Sequence, residues 1–362
     1  MWAFGLYWVF RLAAQDFYSS TFDIPLGRDF ANLYTAGKVA VEGATWRLFD
    51  LNAFRFEILD HVGKLTIQNY SYPPHALFIA VPFSFLPYQA AFIAWTLLGA
   101  AFFYWAARPL TPFAPVLAIL TPAAAMNMWA GHYGFFLGGL WLLYFRWLSS
   151  KPVKAGIPAA LLTFKPHMGL FIAATAFSSR KALLSATLLT LTILALSVAA
   201  FGLDSWAGFF TKTFGAQIEI LNESAEVGYF KLMPSAYTAL GRNEVAMVAQ
   251  AIVAAAAILI VVKARKLDPF ILSTATFLVV PYVFVYDMTV ACLGFAIKIW
   301  NDWGELNPVE RTILSVAFLT PCTNLAFPQI SAPILLAALC IQCGLFRFGA
   351  ARPALPASAA AT

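Results

Sequence analysis

Residues 182–202 read ALLSATLLTLTILALSVAAFG, a run without a single charge, with Arg180 and Lys181 at its head. A helix needs about 20 consecutive apolar residues to cross a bilayer, and this run suffices. Comparable runs recur outward from it in both directions. The periodicity predicts spans at 88–107, 111–127, 133–149, 153–164, 166–179, 182–202, 244–263, 269–286, 288–300, 310–327 and 329–346. Of the 362 residues, 61% are apolar and 11% charged, and the mean hydropathy is +0.75. A soluble domain is about 45–50% apolar and about 25% charged. That balance excludes a soluble enzyme, a disordered chain and a nucleic-acid binder. The fold class is an all-α, polytopic transmembrane helical bundle of about 10–12 membrane helices.

Two polar stretches interrupt the pattern. The first, 16–73, contains Asp16, Asp23, Asp29, Glu42, Asp50, Glu57 and Asp60. Within it, 30–42 and 46–60 have the spacing of short amphipathic helices punctuated by Gly43. They are expected to lie on the membrane surface with Tyr34, Trp46, Phe49 and Phe54 facing lipid. The second stretch, 203–230, contains Asp204, Glu219, Glu223 and Glu226, and 231–242 is expected to pack beneath it. Between the first stretch and the 88–107 span, residues 74–86 are apolar but broken by Pro82, so they read as a half-buried helix. Residues 1–15 lack the basic leader of a signal peptide and are expected to form a first membrane helix. On this reading 1–350 is one integral-membrane domain, and 351–362 is an Ala/Pro-rich tail.

Cations in short loops set the orientation. With the N-terminus in the cytoplasm, one side collects Arg108, Arg146, Lys151, Lys154, Arg180, Lys181, Lys263, Arg265, Lys266, Lys298 and Arg311. The net charge of +6, from 23 basic and 17 acidic residues, is then a loop property rather than the mark of an acidic partner. Both polar stretches fall outside. Cys292, Cys322, Cys340 and Cys343 all sit in apolar runs. The C-x-x-C of the last pair has no second pair or His to complete a metal site, so all four read as reduced and buried.

The polar residues least suited to a membrane sort to the outer face. They are Asp29 with Arg28; Tyr70 and Tyr72 before Pro73 and Pro74; Asn127, His132 and Tyr133 in NMWAGHYG (127–134); Lys165 and His167; and Tyr282 and Tyr286 with Asp287. An ionised side chain at membrane depth costs about 2.5–3.5 kcal/mol on insertion scales, so Lys165 and Asp287 call for an explanation. Plainer readings stand beside the functional ones. Asp29 also suits a helix N-cap, Lys165 a snorkelling cation, the histidines a hydrogen-bonded core, and the tyrosines an interfacial belt.

Taken in order, RDFANLYTAGKVAVEG (28–43), SYPPHALFIAVPFSFLP (71–87), AGHYGFFLGGLWLL (130–143), AGIPAALLTFKPHMGLFI (155–172) and PYVFVYD (281–287) resemble glycosyltransferase family 87. These are polytopic transferases of the GT-C architecture that use polyprenyl-phosphate sugars and include α-mannosyltransferases. His132 stands where the family usually carries Gln. The resemblance implies an inverting transfer of a hexose, mannose being the best-attested choice, from a polyprenyl-phosphate-sugar donor to a glycolipid or polysaccharide acceptor. The site would lie on the extracytoplasmic side of the plasma membrane. It also implies Asp29 as catalytic base, since an acceptor hydroxyl needs a carboxylate to take its proton.

Lys165, assisted by Arg28 and His167, would bind the donor phosphate. Tyr34, Tyr70, Tyr72, His132, Tyr286 and Asp287 would contact the sugars, Asp287 alternatively pairing with Lys165. Asp29 and Asp287 alone do not make a cation site, so no metal or cofactor is expected. The rival readings are a transporter or flippase of a lipid-linked sugar, which would show repeats and helices broken near the midplane, and a non-enzymatic scaffold.

Overall fold

The computed structural model describes residues 27–63, 68–223, 229–266 and 268–345. The expected first helix (1–15) and the tail (351–362) lie outside the described residues, as do parts of both polar stretches. Among the described residues all regular structure is helical, with 18 α-helices and no strand.

The chain opens with α1 (Arg28–Val41), a 3-10 turn (Thr45–Phe49), α2 (Leu51–Val62) and α3 (Leu77–Ser84). Asp50 caps α2 by accepting a hydrogen bond from the Ala53 amide at 2.9 Å, satisfying an otherwise unpaired N–H of the first turn. Then come α4 (Tyr88–Ala107), α5 (Ala114–Leu120), α6 (Pro122–Ala130), α7 (Gly134–Ser150), α8 (Pro152–Leu161), α9 (Leu170–Ala176), α10 (Arg180–Phe201) and α11 (Leu203–Glu223). The chain continues through α12 (Ala236–Ala239), α13 (Glu244–Ala264), α14 (Pro269–Val279), α15 (Thr289–Asn301), α16 (Pro308–Phe318), α17 (Thr320–Thr323) and α18 (Pro328–Cys343).

Among the described residues three helices, α4, α10 and α13, are long and apolar enough to cross a membrane. On α10, Leu184, Leu188, Leu191 and Leu196 stand exposed, as do Val248, Ile252 and Leu259 on α13. Continuous apolar faces of that extent are rare on a water-soluble surface and are the norm against lipid. The protein is a multi-pass membrane protein, and its shorter apolar helices fill the space between these long ones. All four cysteines are free thiols.

The α4, α7, α10 and α13 spans fall where the sequence places them. Three other expected spans are each broken, and proline is the reason. The residue before a proline is driven out of the helical region. Thr121 is accordingly extended (φ −71°, ψ 157°) and splits 111–127 into α5 and α6. Val280 (φ −89°, ψ 119°) ends α14 before Pro281, leaving 285–287 as a 3-10 turn. The 310–327 span breaks at Leu319 (φ −86°, ψ 0°) into α16 and α17, Pro321 having no N–H with which to continue the helical ladder. Backbone freed in this way is tolerated at depth only inside protein or along a cavity.

The expectation for the surface aromatics is corrected. Trp46 alone is exposed; Tyr34, Phe49 and Phe54 are buried. Phe49, Phe54, Leu48, Ile58, Tyr70 and Leu77 form a small core of their own beneath the α1–α2 hairpin. The 203–230 stretch supplies its lid, because most of it is the long helix α11 rather than a loop. Phe209 of α11 meets Phe49 edge-on with centroids 6.0 Å apart. Burying a large side chain is worth roughly 1.5–3 kcal/mol, which is why these rings turn inward once a second helix covers them.

One close approach sets the position of the irregular segment 281–287. A Cβ on Gly134, at the start of α7, would stand 2.3 Å from the backbone oxygen of Tyr286. The Gly134 amide donates to Asn127 Oδ1 at 2.8 Å, and its carbonyl accepts from Thr289 Oγ1 at 2.9 Å. Gly134→Ala is therefore expected to push the 285–287 turn away and lower the thermal midpoint in detergent by several degrees. An alanine variant as stable as wild type would show that this contact gives way freely.

Candidate active site

Five segments meet at a partly open cleft of about 160 Å³. Each is delivered by a local device. Gly27, in the left-handed region at φ 70°, starts α1 so that Asp29 and Asn32 fall on one helical face. Pro73, held extended (φ −64°, ψ 150°) before Pro74, ends the irregular segment 68–73 ahead of the helical turn at Pro74. Gly131 (φ 67°) ends α6 and throws His132 into the α6–α7 turn. Lys165, held non-helical (φ −134°, ψ 71°) by Pro166, occupies the break between α8 and α9. The 281–287 segment brings Tyr282, Phe284 and Tyr286. Phe209, Gln217 and Ile220 of α11 close the remaining side.

Of the residues singled out in the sequence, Asp29, Tyr72, His132, Lys165, His167 and Tyr286 line this cleft. Arg28 and Asp287 stand behind it as partners. Arg28 Nε donates to Asp29 Oδ1 at 2.9 Å. Asp287, with no exposed side-chain surface, takes Lys165 Nζ on Oδ2 and His132 Nδ1, at 3.2 Å, on Oδ1. Lys165 is thus a buried, paired cation and not a snorkelling one. Tyr34 and Tyr70 are not brought to the cleft. The Tyr34 hydroxyl donates to the Leu86 carbonyl at 2.9 Å, and Tyr70 belongs to the small core under α1 and α2. Both are placed by packing against neighbouring helices, which a single segment's sequence does not encode.

These groups lie at helix ends and turns, outside the spanning segments, and their charges follow from their neighbours. Burial raises the Asp29 carboxyl, but the adjoining Arg28 guanidinium, His132 and the nearby Tyr286 hydroxyl together outweigh it, so the group lies below its ordinary value and is ionised. Burial acts on Asp287 in the same way and is overcome by Lys165 and His132, again leaving a carboxylate. Burial and the Lys165 ammonium lower His132, and His167 is pulled down to about 3, chiefly by burial. Both rings are neutral at physiological pH. A carboxylate only accepts, so the single His132 proton is on Nδ1, facing Asp287. Nε2 then accepts from the Tyr72 hydroxyl at 2.9 Å. The result is an oriented chain, Tyr72 to His132 to Asp287, with Lys165 closing it.

Across from this chain, the Asp29 carboxylate is only partly used. Oδ1 accepts from Arg28 and, at 3.3 Å, from Gln68 Nε2. Oδ2 is buried and accepts no hydrogen bond from the described residues. An ionised, anchored carboxylate with one uncommitted oxygen is what a general base requires. Tyr282, marked in the sequence beside Tyr286, lines the cleft too, as do Asn32, Gln68, Asn69 and Gln217, which were not singled out in the sequence. Asn32 was within reach, three residues beyond Asp29 on the same face of one helix. Gln68 and Asn69 directly precede the Tyr70–Pro74 motif. Gln217 carries no local signal.

Among the described residues, Glu42, Glu57 and His61 are grouped closely enough to share a cation, their ligand atoms lying within 4.8 Å of one another. They sit on the α1–α2 hairpin away from the cleft, and Arg47 already holds Glu57 at 2.7 Å.

The family model for glycosyltransferase family 87 matches residues 70–285, more than half of the chain. It takes in Tyr72, His132, Lys165 and His167 and stops short of Asp29 and Asp287. No curated protein and no solved structure matches.

Removing one member of a buried ion pair typically costs about 3–5 kcal/mol, because the other charge is stranded, whereas replacing both is far milder. Asp287→Asn is therefore expected to lower the thermal midpoint in detergent sharply. Adding Lys165→Met to it is expected to restore more than half of the loss. If the double variant is as unstable as the sum of the two single ones, the two groups act independently.

Proposed function

The chain belongs to glycosyltransferase family 87, and from that premise and the cleft's geometry we propose an inverting transfer of a hexose, mannose in our reading, from a polyprenyl-phosphate-sugar donor. The acceptor is a glycolipid or glycan at the outer face of the plasma membrane, and Asp29 is the general base. The enzyme is a membrane glycosyltransferase; donor, sugar, acceptor and base are the parts proposed.

The observation that carries the reading is that one cleft is lined both by Asp29 and by Lys165 and His167. Asp29 has an ionised carboxylate with an uncommitted oxygen, and Lys165 has an ammonium. Proton removal by a placed carboxylate contributes about 10²–10⁴ in rate. The nucleophilic hydroxyl gives its proton to Asp29 Oδ2 as its oxygen bonds to the anomeric carbon. The bond from that carbon to the lipid-phosphate oxygen breaks on the opposite face, inverting the configuration. The leaving phosphate is already an anion, so it calls for positive charge rather than a proton. An ammonium has three donors, and Lys165 can keep Asp287 on one while presenting another to phosphate. The neutral His167 contributes a hydrogen bond beside it.

The distribution of cations supports the outer placement. The cleft lies at the N-terminal end of α7, whereas Arg146, Lys151 and Lys154 gather at its other end. A helix rises 1.5 Å per residue, so these ends are about 25 Å apart. Arg180 and Lys181 start α10 and Lys263 lies at the end of α13, in line with cations retained on the cytoplasmic side.

The test uses purified protein, a panel of polyprenyl-phosphate sugars and a membrane lipid extract. Asp29→Asn keeps the shape and the Gln68 contact, so it is expected to fold and bind donor normally while transfer falls at least 100-fold. Turnover within a few-fold of wild type would remove Asp29 from the chemistry.

A further inference from the structure

Three neutral amide side chains surround Asp29, and two of them are locked. Asn32 Nδ2 donates to the Asn69 carbonyl at 2.6 Å. Gln68 Nε2 donates to the Arg28 carbonyl at 2.9 Å and to Asp29 Oδ1 at 3.3 Å. A carbonyl and a carboxylate only accept, so these bonds settle which end of each amide is nitrogen. Asn32 Oδ1 and Gln68 Oε1 are thereby left as acceptors. Both are buried, and like Asp29 Oδ2 neither has a partner among the described residues. Asn69 Nδ2 is a fourth buried atom in the same state, this one a donor. All four residues line the cleft.

A buried polar atom left without a partner is costly, so four of them, three acceptors and one donor, along one cleft are a built feature and not an oversight of packing. Three acceptors and one donor call for a ligand rich in O–H groups that also offers oxygen lone pairs. A divalent cation suits the wall poorly, since it wants six or more oxygens, several of them charged, and the single carboxylate is already paired with Arg28.

We infer that Asn32, Gln68 and Asn69 form the acceptor subsite, and that they recognise neighbouring hydroxyls of a carbohydrate. This rests on Asp29 as the base, because the hydroxyl it activates must belong to the molecule held around it. Asn32 and Gln68 take protons of hydroxyls flanking the nucleophile, and Asn69 donates to a hydroxyl or ring oxygen. The acceptor is thus a sugar-bearing molecule that presents a vicinal diol, not a simple lipid alcohol or a hydroxyl of a protein side chain. The donor lies on the far side, against Lys165 and His167.

Asn69 gives the cleanest test, because its structural bond to Asn32 comes from its backbone carbonyl and survives substitution. Asn69→Leu is expected to raise the acceptor KM about tenfold, the loss of one buried hydrogen bond, while the donor KM moves less than twofold. Asn32→Leu should do the same more strongly if it folds. An unchanged acceptor KM in well-folded Asn69→Leu, or a donor KM that shifts equally, would overturn the assignment.

A binding arm needs no transfer. Methyl α-mannopyranoside and methyl α-glucopyranoside should show saturation-transfer NMR contacts with the wild-type protein in detergent that Asn69→Leu and Asn32→Leu weaken. Contacts equal in all three proteins would leave the wall as a hydrated surface and refute the subsite. Loss of sugar contacts on adding EDTA would point to a cation instead. If these contacts behave as expected but no polyprenyl-phosphate sugar supports transfer, the failure lies with the proposed donor and not with this subsite.

Discussion

The architecture of the cleft depends on one buried carboxylate. Asp287 accepts from Lys165 and from His132, and those residues come from two turns far apart in sequence, between α8 and α9 and between α6 and α7. Through His132 the same carboxylate reaches Tyr72 in the irregular segment before α3. None of these segments is regular secondary structure, and none has a repeating hydrogen-bond ladder to hold it in place. A charge in low dielectric that would cost several kcal/mol alone becomes a clamp when two donors share it and a third group, Tyr72, is tied on through His132. The electrostatics follow, since Asp287 offsets Lys165, and His132 is left with one proton in a defined place.

That clamp explains why prolines recur around it. Pro73, Pro166 and Pro281 each precede or break a helix at the rim of the cleft, where a continuous helix would turn every backbone group inward and offer no room for a ligand. Irregular backbone at membrane depth is stable only where protein or a water-filled cavity satisfies it. Pro281 both ends an expected span and opens the site, and Pro73 and Pro166 act on the rim in the same way. The close contact of Gly134 with the Tyr286 carbonyl then seats the broken segment against α7 without a side chain in between.

How much of this is legible in the sequence depends on the range of the interaction. The long helices α4, α10 and α13 are readable because length and apolarity decide them locally. The gathering of Asp29, Lys165, His132 and Asp287 is readable because topology sends their turns to one face and burying a charge is too costly to be incidental. The rest depends on partners. Tyr34, Phe49 and Phe54 show a helical apolar period that looks the same whether it faces lipid or another helix, and α11 decides for protein. The breaks at Thr121 and Val280 are local proline effects hidden within runs apolar enough to pass for whole spans. Neutral amides such as Asn32, Gln68 and Asn69 carry no charge to be explained, so nothing marks them until their hydrogen bonds are counted.

The two walls of the cleft differ in kind, and the difference orders the reaction. The Lys165 wall is cationic and held by a carboxylate that offsets it, so it attracts an anion without a large excess of charge. The Asp29 wall is made of acceptors anchored by backbone carbonyls and by Arg28, so it attracts hydroxyls and repels phosphate. A phosphate lodged against Asp29 Oδ2, Asn32 Oδ1 and Gln68 Oε1 would face three acceptors and only the Asn69 amide as a donor. A polyol against Lys165 and His167 would satisfy only part of an ammonium. Each substrate therefore has one favourable wall, and an anomeric carbon linked to phosphate on one side points its open face toward the carboxylate on the other. On the proposed reading, in-line displacement with inversion is the geometry that such a pair of walls favours.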